Sequence, residues 1–283
     1  MKLRDDRITK KDLEEYTDKY SDFSFEMKVL NCFPDTFKVN HGGTYEDPVS
    51  GKFREFDIRA KYSFNRPHTH NIYMAVEAKN IQENFPLLIS CVPRLKEEAY
   101  HHLIISKYKV GQFSGFPEHG KVSVVRPDNN KFYRSNDFVG KSLDQIGRRD
   151  HHDKELVGND SDIYSKWSQA VNSSFELAET AYYESYDHQS KVFISFVMPI
   201  VVIPDNTLWI AKYDHEGNRI GEIKQNEECQ YYIGNKFELG DKISGKEIVL
   251  THLHIMTFSR FNKFVNEVEN YSDSIFPQSE IHF

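Results

Sequence analysis

Acidic and basic side chains at alternate positions mark two short stretches of this chain. Glu55 and Asp57 are two residues apart, and so are Glu77 and Lys79. In a β-strand, side chains two positions apart lie on one face, so each pair would project to one side. Carboxylates are ligands for Mg²⁺, which polarises a phosphate and lowers the pKa of a bound water. Two such strands side by side could therefore form a divalent-metal site that cuts a phosphodiester bond.

The same spacing also has a structural interpretation. In the catalytic interpretation, Asp57 and Glu77 are metal ligands, and Lys79 orients the attacking water and offsets negative charge on the phosphate. In the structural interpretation, a Glu and a Lys two apart on a strand form a solvated, weakly paired surface. Spacing alone leaves both interpretations open.

The residues around these two pairs form a longer pattern. It consists of a tyrosine and an acidic residue before a turn, a Gly-Lys pair, an Arg-Glu-Phe-Asp-Ile run, and an apolar residue before Glu-Ala-Lys: Tyr45, Asp47, Gly51, Lys52, 54–58, Ala60, Val76 and 77–79. This pattern resembles the strand pair of the PD-(D/E)xK nuclease superfamily, whose members have the restriction-endonuclease-like fold. Residues 85–89, Phe-Pro-Leu-Leu-Ile, resemble the next strand of that family.

The resemblance implies a role for each matching residue. The metal-binding Asp of the family falls on Asp57, its second acidic ligand on Glu77 and its catalytic lysine on Lys79, and the backbone carbonyl of Ala78 would be a further ligand. Many members also contribute a Glu from the helix before the strands, which makes Glu26 a candidate catalytic and metal-binding residue; an ordinary surface glutamate is the alternative. The implied cofactor is Mg²⁺ or Mn²⁺, and the implied activity is hydrolysis of DNA. One departure is a Phe-Asp pair in place of Pro-Asp, which removes no reactive group.

The elements that would position these residues follow from apolar spacing and turn signals. We predict helices at 10–20, 23–33 and 259–271, and strands at 37–46, 52–62, 72–79, 86–92, 192–203, 208–213 and 247–255. The polar stretch 62–71 is interpreted as a connection that turns the chain antiparallel. Asp160 and Ser161 can cap a crossover helix with apolar residues three or four apart, from Ile163 to Ala181.

These elements predict a single elaborated α/β domain, 1–283, with a restriction-endonuclease-like mixed β-sheet flanked by helices. The predicted core is 20–92, followed by an inserted basic subdomain at 94–150. Residues 160–283 would supply the crossover helix, further strands and the C-terminal helix.

The charge distribution bears on nucleic-acid binding. The whole chain has a net charge of −7, whereas residues 94–149 carry eleven Lys or Arg and six Asp or Glu, a local charge of +5. The segment interleaves basic and aromatic side chains, which suits phosphate neutralisation and base stacking. A solvated surface explains the same residues equally well. We expect DNA as the partner, with RNA as an alternative, and cutting both strands of a duplex would favour a homodimer or a larger defence or repair complex.

Histidine pairs offer a competing chemistry. They are His68 and His70, His101 and His102, His151 and His152 with Asp153, and His252 and His254. A His-x-His pair on a strand could bind zinc, but each pair lacks a spaced third ligand, so polar or half-buried histidines are the plainer account.

Composition sets further limits. No apolar run is long enough to span a membrane, and the charged amino terminus does not resemble a signal peptide. The three cysteines are unclustered, and Cys32 and Cys91 are expected to be buried thiols of a cytoplasmic protein. The second functional hypothesis is a catalytically inactive nucleic-acid or protein interaction module with the same fold.

Overall fold

The computed structural model describes residues 6–19, 21–48, 50–107, 109–110, 117–118, 121–149, 155–159, 161–187, 191–240 and 246–278. The helices are α1 (Lys10–Lys19), α2 (Phe23–Leu30), α3 (Ser161–Tyr183), α4 (Phe258–Asn266) and α5 (Ser272–Ile275), with 3₁₀ turns at Lys96–Glu98, Glu184–Asp187 and Val268–Tyr271. The strands are β1 (Phe37–Glu46), β2 (Phe53–Arg66), β3 (His68–Ala78), β4 (Leu87–Pro93), β5 (His101–Lys107), β6 (Lys109–Val110), β7 (Pro117–Glu118), β8 (Lys121–Val125), β9 (Phe138–Arg148), β10 (Leu156–Asn159), β11 (Val192–Ile203), β12 (Leu208–Lys212), β13 (Lys224–Gln225), β14 (Glu228–Leu239) and β15 (Lys246–Thr257).

The architecture is mixed α/β, with helices flanking one large mixed sheet. Its main path runs β1-β2-β3-β11-β15-β14-β9-β4-β12-β13. β1, β2 and β3 form an antiparallel meander, and β11 then lies parallel to β3 and to β15. The chain crosses from the meander to β11 through α3, which packs on both β3 and β11. The predicted crossover helix is thus confirmed from Ser161 onward, while Asp160 lies outside the described residues.

The two faces of β3 bury different helices. Met74 and Val76 pack in one cluster with Phe25 of α2 and Phe261 of α4. Tyr73 and Ala75 pack on the opposite side with residues of α3. Because both faces are covered, β3 and β11 are almost continuously buried rather than alternating between buried and exposed residues.

Most of the predicted strands are present in the structure, and one predicted connection is wrong. Strands 37–46 and 192–203 have the predicted bounds. The stretch 62–71 was wrongly predicted to be a connection, because β2 continues to Arg66 and β3 already begins at His68. Cross-strand contacts explain this extension: the Ser63 hydroxyl donates to the Asn71 side chain at 2.7 Å, and Phe64 stacks on His70.

The described part of the predicted insertion adds strands to the main sheet. β5 pairs with the first third of β11, and β9 pairs with β4 and β14. β4, which contains most of the stretch that resembles the family's next strand, lies far along the sheet from β3, whose neighbour is β11. The domain division and the insertion itself stay predictions.

The remaining expectations concern cysteines and membranes. Cys32, Cys91 and Cys229 are free and buried, which confirms the expectation of buried thiols. Among the residues that the structure describes, no helix is both long enough and apolar enough to cross a membrane.

Candidate active site

Asp57 and Glu77 lie opposite each other on neighbouring strands. The last backbone pair of the β2-β3 ladder on this side is Ile58 with Val76, and Asp57 and Glu77 are the next residue on each strand. Oδ2 of Asp57 accepts the backbone N–H of Ala78 at 2.8 Å, and Oε1 of Glu77 accepts the backbone N–H of Asp57 at 3.3 Å. These bonds hold both carboxylates on the face of the sheet that α3 covers.

An ammonium group from α3 lies between the two carboxylates. Nζ of Lys166 is 2.9 Å and 2.8 Å from the two oxygens of Asp57 and 3.2 Å from Oε2 of Glu77. The side chains are largely buried, with 12% of Asp57, 1% of Glu77 and 17% of Lys166 exposed. Like charges directly opposite on a sheet destabilise it, so Lys166 stabilises an otherwise unfavourable carboxylate pair.

The protonation of this group follows from burial and mutual charge. Burial raises the pKa of Glu77 well above its ordinary value, and the charge of Asp57 raises it further, against the opposing effect of Lys166. Burial alone would lower the pKa of Lys166, but the charges of Glu77 and Asp57 outweigh it and the pKa is raised. Lys166 therefore stays charged, and Glu77 is a carboxyl group that an additional positive charge would help to keep ionised.

A second set of polar side chains lies where α2 meets the end of β3. Nζ of Lys79 is 3.1 Å from Oδ2 of Asp22, whose other oxygen accepts the backbone N–H of Asn80 at 2.8 Å. Glu26 accepts a hydrogen bond from Nε2 of His41 at 2.7 Å. Burial raises the pKa of Glu26, and the charge of Asp57 raises it further, against the opposing effect of its hydrogen bond with His41.

The structure brings Asp57 and Glu77 together around Lys166. Glu26 instead pairs with His41, and the ammonium of Lys79 pairs with Asp22. Ala78 contacts Asp57 through its N–H, and the role of its carbonyl as a ligand stays a prediction. Glu55 is exposed.

The donor set fits a small divalent cation. Carboxylate oxygens are the donors that Mg²⁺ and Mn²⁺ prefer, with water completing the coordination. Asp57 and Glu77 share the ammonium of Lys166, Asp22 pairs with Lys79, and Glu26 pairs with His41. In the described part of the chain, however, no group of three or more His, Cys, Asp or Glu side chains is arranged to hold a metal ion. The oxygens of Asp57 and Glu77 instead surround the nitrogen of Lys166.

Lys166 belongs to a polar stripe of α3 that sequence reasoning missed. Arg59, two residues after Asp57 on β2, donates from Nε to the Ser173 hydroxyl at 2.9 Å, and its guanidinium is 3.1 Å from Glu176. Lys166, Ser173 and Glu176 repeat at helical spacing, and Asp57 and Arg59 repeat at strand spacing. The sequence contained two signals for these contacts: charged residues at alternate positions of β2, and polar residues at helical spacing on α3.

The histidine pairs are not arranged as zinc sites where the structure describes them. His101 donates from Nε2 to the carbonyl of Ile275 at 2.8 Å, and its Nδ1 accepts from Asn130 at 3.0 Å. Nε2 of His254 lies 2.7 Å from the hydroxyl of Tyr133, whose ring stacks on His252. Each ring is thus buried in a hydrogen-bonded or stacked cluster. Residues 151–153 lie outside the described part of the chain.

Comparisons of this chain with protein-family models, with curated proteins and with solved structures gave no match.

Proposed function

We propose that this protein is a divalent-cation-dependent nuclease with a restriction-endonuclease-like fold, which hydrolyses phosphodiester bonds of DNA. The observation that carries the proposal is the convergence of Asp57 and Glu77 on one positive charge at the end of two paired strands. A pair of buried carboxylates lowers the stability of a protein. Such a pair is expected where it has a function, and binding a cation is a function that these two carboxylates can perform.

The element order adds support. The meander β1-β2-β3, the crossover helix α3 and the strand β11 occur in this order along the chain, with β4 to β10 between β3 and α3. β11 lies parallel to β3 in the sheet, and α3 packs on both strands. The carboxylates lie on the face of the meander that meets the crossover helix. This arrangement agrees with the catalytic strand pair that the sequence resembles.

Each residue then has a definable task. Asp57 and Glu77 would hold Mg²⁺ or Mn²⁺, which supplies Lewis-acid polarisation of the phosphate and a more acidic bound water. Glu26 would accept hydrogen bonds from waters at the site, with His41 fixing its carboxylate. Lys79 follows Glu77 at the end of β3 and would offset charge on the phosphate or orient the attacking water.

The test is cleavage of labelled duplex DNA, single-stranded DNA and RNA by the purified chain with Mg²⁺ or Mn²⁺, and with EDTA as a blank. We expect metal-dependent cutting that is lost in Asp57→Asn and in Lys79→Ala. Glu55→Gln is the matched control, because Glu55 is an exposed acid two residues from Asp57. Cleavage that persists in Asp57→Asn, or that continues in the presence of EDTA, would refute the proposal.

A second candidate is an interaction module without catalysis. It is favoured by Lys166, which already pairs with both Asp57 and Glu77 within the protein, and by the pairing of Lys79 with Asp22. Mn²⁺ binding separates the two candidates: a nuclease binds Mn²⁺ and loses it in Asp57→Ala, whereas a module of this kind binds none in either form.

A further inference from the structure

The ammonium of Lys166 occupies the place where a cation bound by Asp57 and Glu77 would sit. Its nitrogen lies within 3.2 Å of three oxygens of these two carboxylates. Both carboxylate oxygens of Asp57 lie within 2.9 Å of this nitrogen, so the ammonium contacts the whole carboxylate group. The pair is also largely shielded from water, with Glu77 1% exposed.

A divalent cation and this ammonium cannot use the same oxygens together. Mg²⁺ requires oxygen ligands at about 2.0–2.1 Å, well inside the distances at which Lys166 now sits. Two positive charges held a few ångströms apart in a buried site repel strongly. Cation binding to Asp57 and Glu77 therefore requires Lys166 to leave.

Only the side chain of Lys166 has to move for this exchange. Further along α3, Ser173 and Glu176 bind Arg59, and Ile163 and Val171 are buried in the core, so the helix is held at other points. A lysine has a flexible four-carbon stem and can swing its ammonium toward water while the backbone stays in place. At 17% exposure, the Lys166 side chain already reaches the surface.

We propose that Lys166 is an internal counter-ion that competes with the divalent cation for Asp57 and Glu77 and so sets the cation concentration at which the site is loaded. This inference rests on the proposed function, in which these carboxylates hold the cation. If the state with Lys166 withdrawn is populated to about 10%, the apparent affinity for the cation is reduced about tenfold relative to a site without the lysine.

The test measures Mn²⁺ binding directly, from the electron paramagnetic resonance signal of free Mn²⁺ and from isothermal titration calorimetry. Lys166→Met keeps an apolar stem of similar length and removes the ammonium. We expect it to bind Mn²⁺ about tenfold more tightly or better than the wild type. Lys61→Met is the matched control, because Lys61 lies on the same strand as Asp57 and its half-buried ammonium pairs with Glu184 instead. We expect a change of no more than about threefold there, since four residues of strand, about 13 Å, separate the two positions.

A measurement on the wild-type chain covers the case in which Lys166→Met fails to fold. In ¹⁵N-lysine NMR, the side-chain signal of a lysine held between two carboxylates should change as Mg²⁺ is added, over the same concentration range as the heat of binding. A signal that stays constant while Mg²⁺ binds would overturn the exchange.

The outcomes separate this proposal from the proposed function. Equal or weaker Mn²⁺ binding by Lys166→Met, with binding by the wild type intact, overturns the competition alone. Equal gains in Mn²⁺ affinity for Lys166→Met and Lys61→Met would mean a general effect of removing positive charge and would also overturn the competition. If neither the wild type nor Lys166→Met binds Mn²⁺, both proposals fall together.

Discussion

The buried histidines predict how the stability of this protein depends on pH. His101 and His254 are 1% and 3% exposed. Burial lowers the pKa of His101 to about 4 and that of His254 to about 3. Nδ1 of His101 accepts a hydrogen bond from the Asn130 amide, which protonation of that nitrogen would abolish, and Nε2 of His254 lies 2.7 Å from the Tyr133 hydroxyl. Folding therefore requires both rings to be neutral.

The size of the effect follows from linkage. Above an unfolded-state pKa of about 6.5 the two states bind the same number of protons at these rings, and stability is unaffected. As the pH falls below that value, the unfolded chain binds protons at these rings whereas the folded chain does not. The free energy of unfolding therefore falls until the pH reaches the folded-state pKa. Between pH 7.5 and pH 5 this amounts to about 2 kcal/mol for each histidine, or roughly 4 kcal/mol for both. Glu77 has the opposite effect on stability. Because its pKa is raised in the folded protein, the folded state binds a proton at a higher pH than the unfolded state does, which favours folding as the pH falls.

Urea unfolding at pH 7.5 and pH 5, for the wild type and for His254→Gln, isolates one histidine from this opposing effect. Gln can still accept a hydrogen bond from Tyr133 but does not titrate. We expect the variant to lose about 2 kcal/mol less than the wild type over this pH range. His215→Gln, the same substitution at an exposed position, is the matched control. An identical pH dependence in His254→Gln and the wild type would show that His254 titrates alike in both states, and the reasoning would fail.

Two further predictions concern packing around the sheet. In Gly140→Ala the new Cβ would lie 2.7 Å from a ring carbon of Tyr231 and 2.8 Å from a methyl group of Ile89, so the free energy of unfolding should fall by roughly 1–3 kcal/mol; Ser142→Ala, at an exposed position of the same strand, should change it by less than about 0.5 kcal/mol. In Arg59→Lys the charge remains, but the guanidinium contacts with Ser173 and Glu176 are lost, so unfolding should require roughly 1–2 kcal/mol less. Arg66→Lys removes comparable acidic contacts from a half-exposed side chain and should cost less than about 0.5 kcal/mol. Chemical denaturation checks both pairs, and equal losses in variant and control would contradict the packing argument.

Local patterns in the sequence were sufficient to predict most of the sheet near the site. The bounds of β1 and β11 were predicted correctly, because their apolar content and flanking turn residues are local signals. The strand β14 was missed because it is largely polar and half exposed, and its pairing with β15 shifts register between Tyr232 and Asn235. A strand of this kind is stabilised by contacts with neighbouring strands, and its own sequence shows little alternation of apolar and polar residues.

The candidate site was predicted in part for the same reason. Asp57 and Glu77 belong to adjacent strands of one hairpin, so spacing alone placed their side chains together. Lys166 lies 109 residues after Asp57 and reaches it only because α3 crosses the sheet at that point. Such a pairing depends on tertiary packing, and the sequence shows it only when the polar stripe of the helix is compared with the polar face of β2.

One edge of β11 is divided between two neighbours. β5 pairs with residues 192–195 and β15 pairs with residues 200–203, while β3 runs along the whole opposite edge. Pro199, which has no N–H to donate, stands in the interval that neither partner uses. The meander that carries the site therefore pairs with one edge of β11, and the antiparallel β5-β8 pair occupies a third of the other edge. Leu103, Ile105 and Val125 of that pair nevertheless belong to the same core cluster as Ile58 and Val76. A change in the β5-β8 pair would therefore also disturb the packing beneath the strands that carry Asp57 and Glu77.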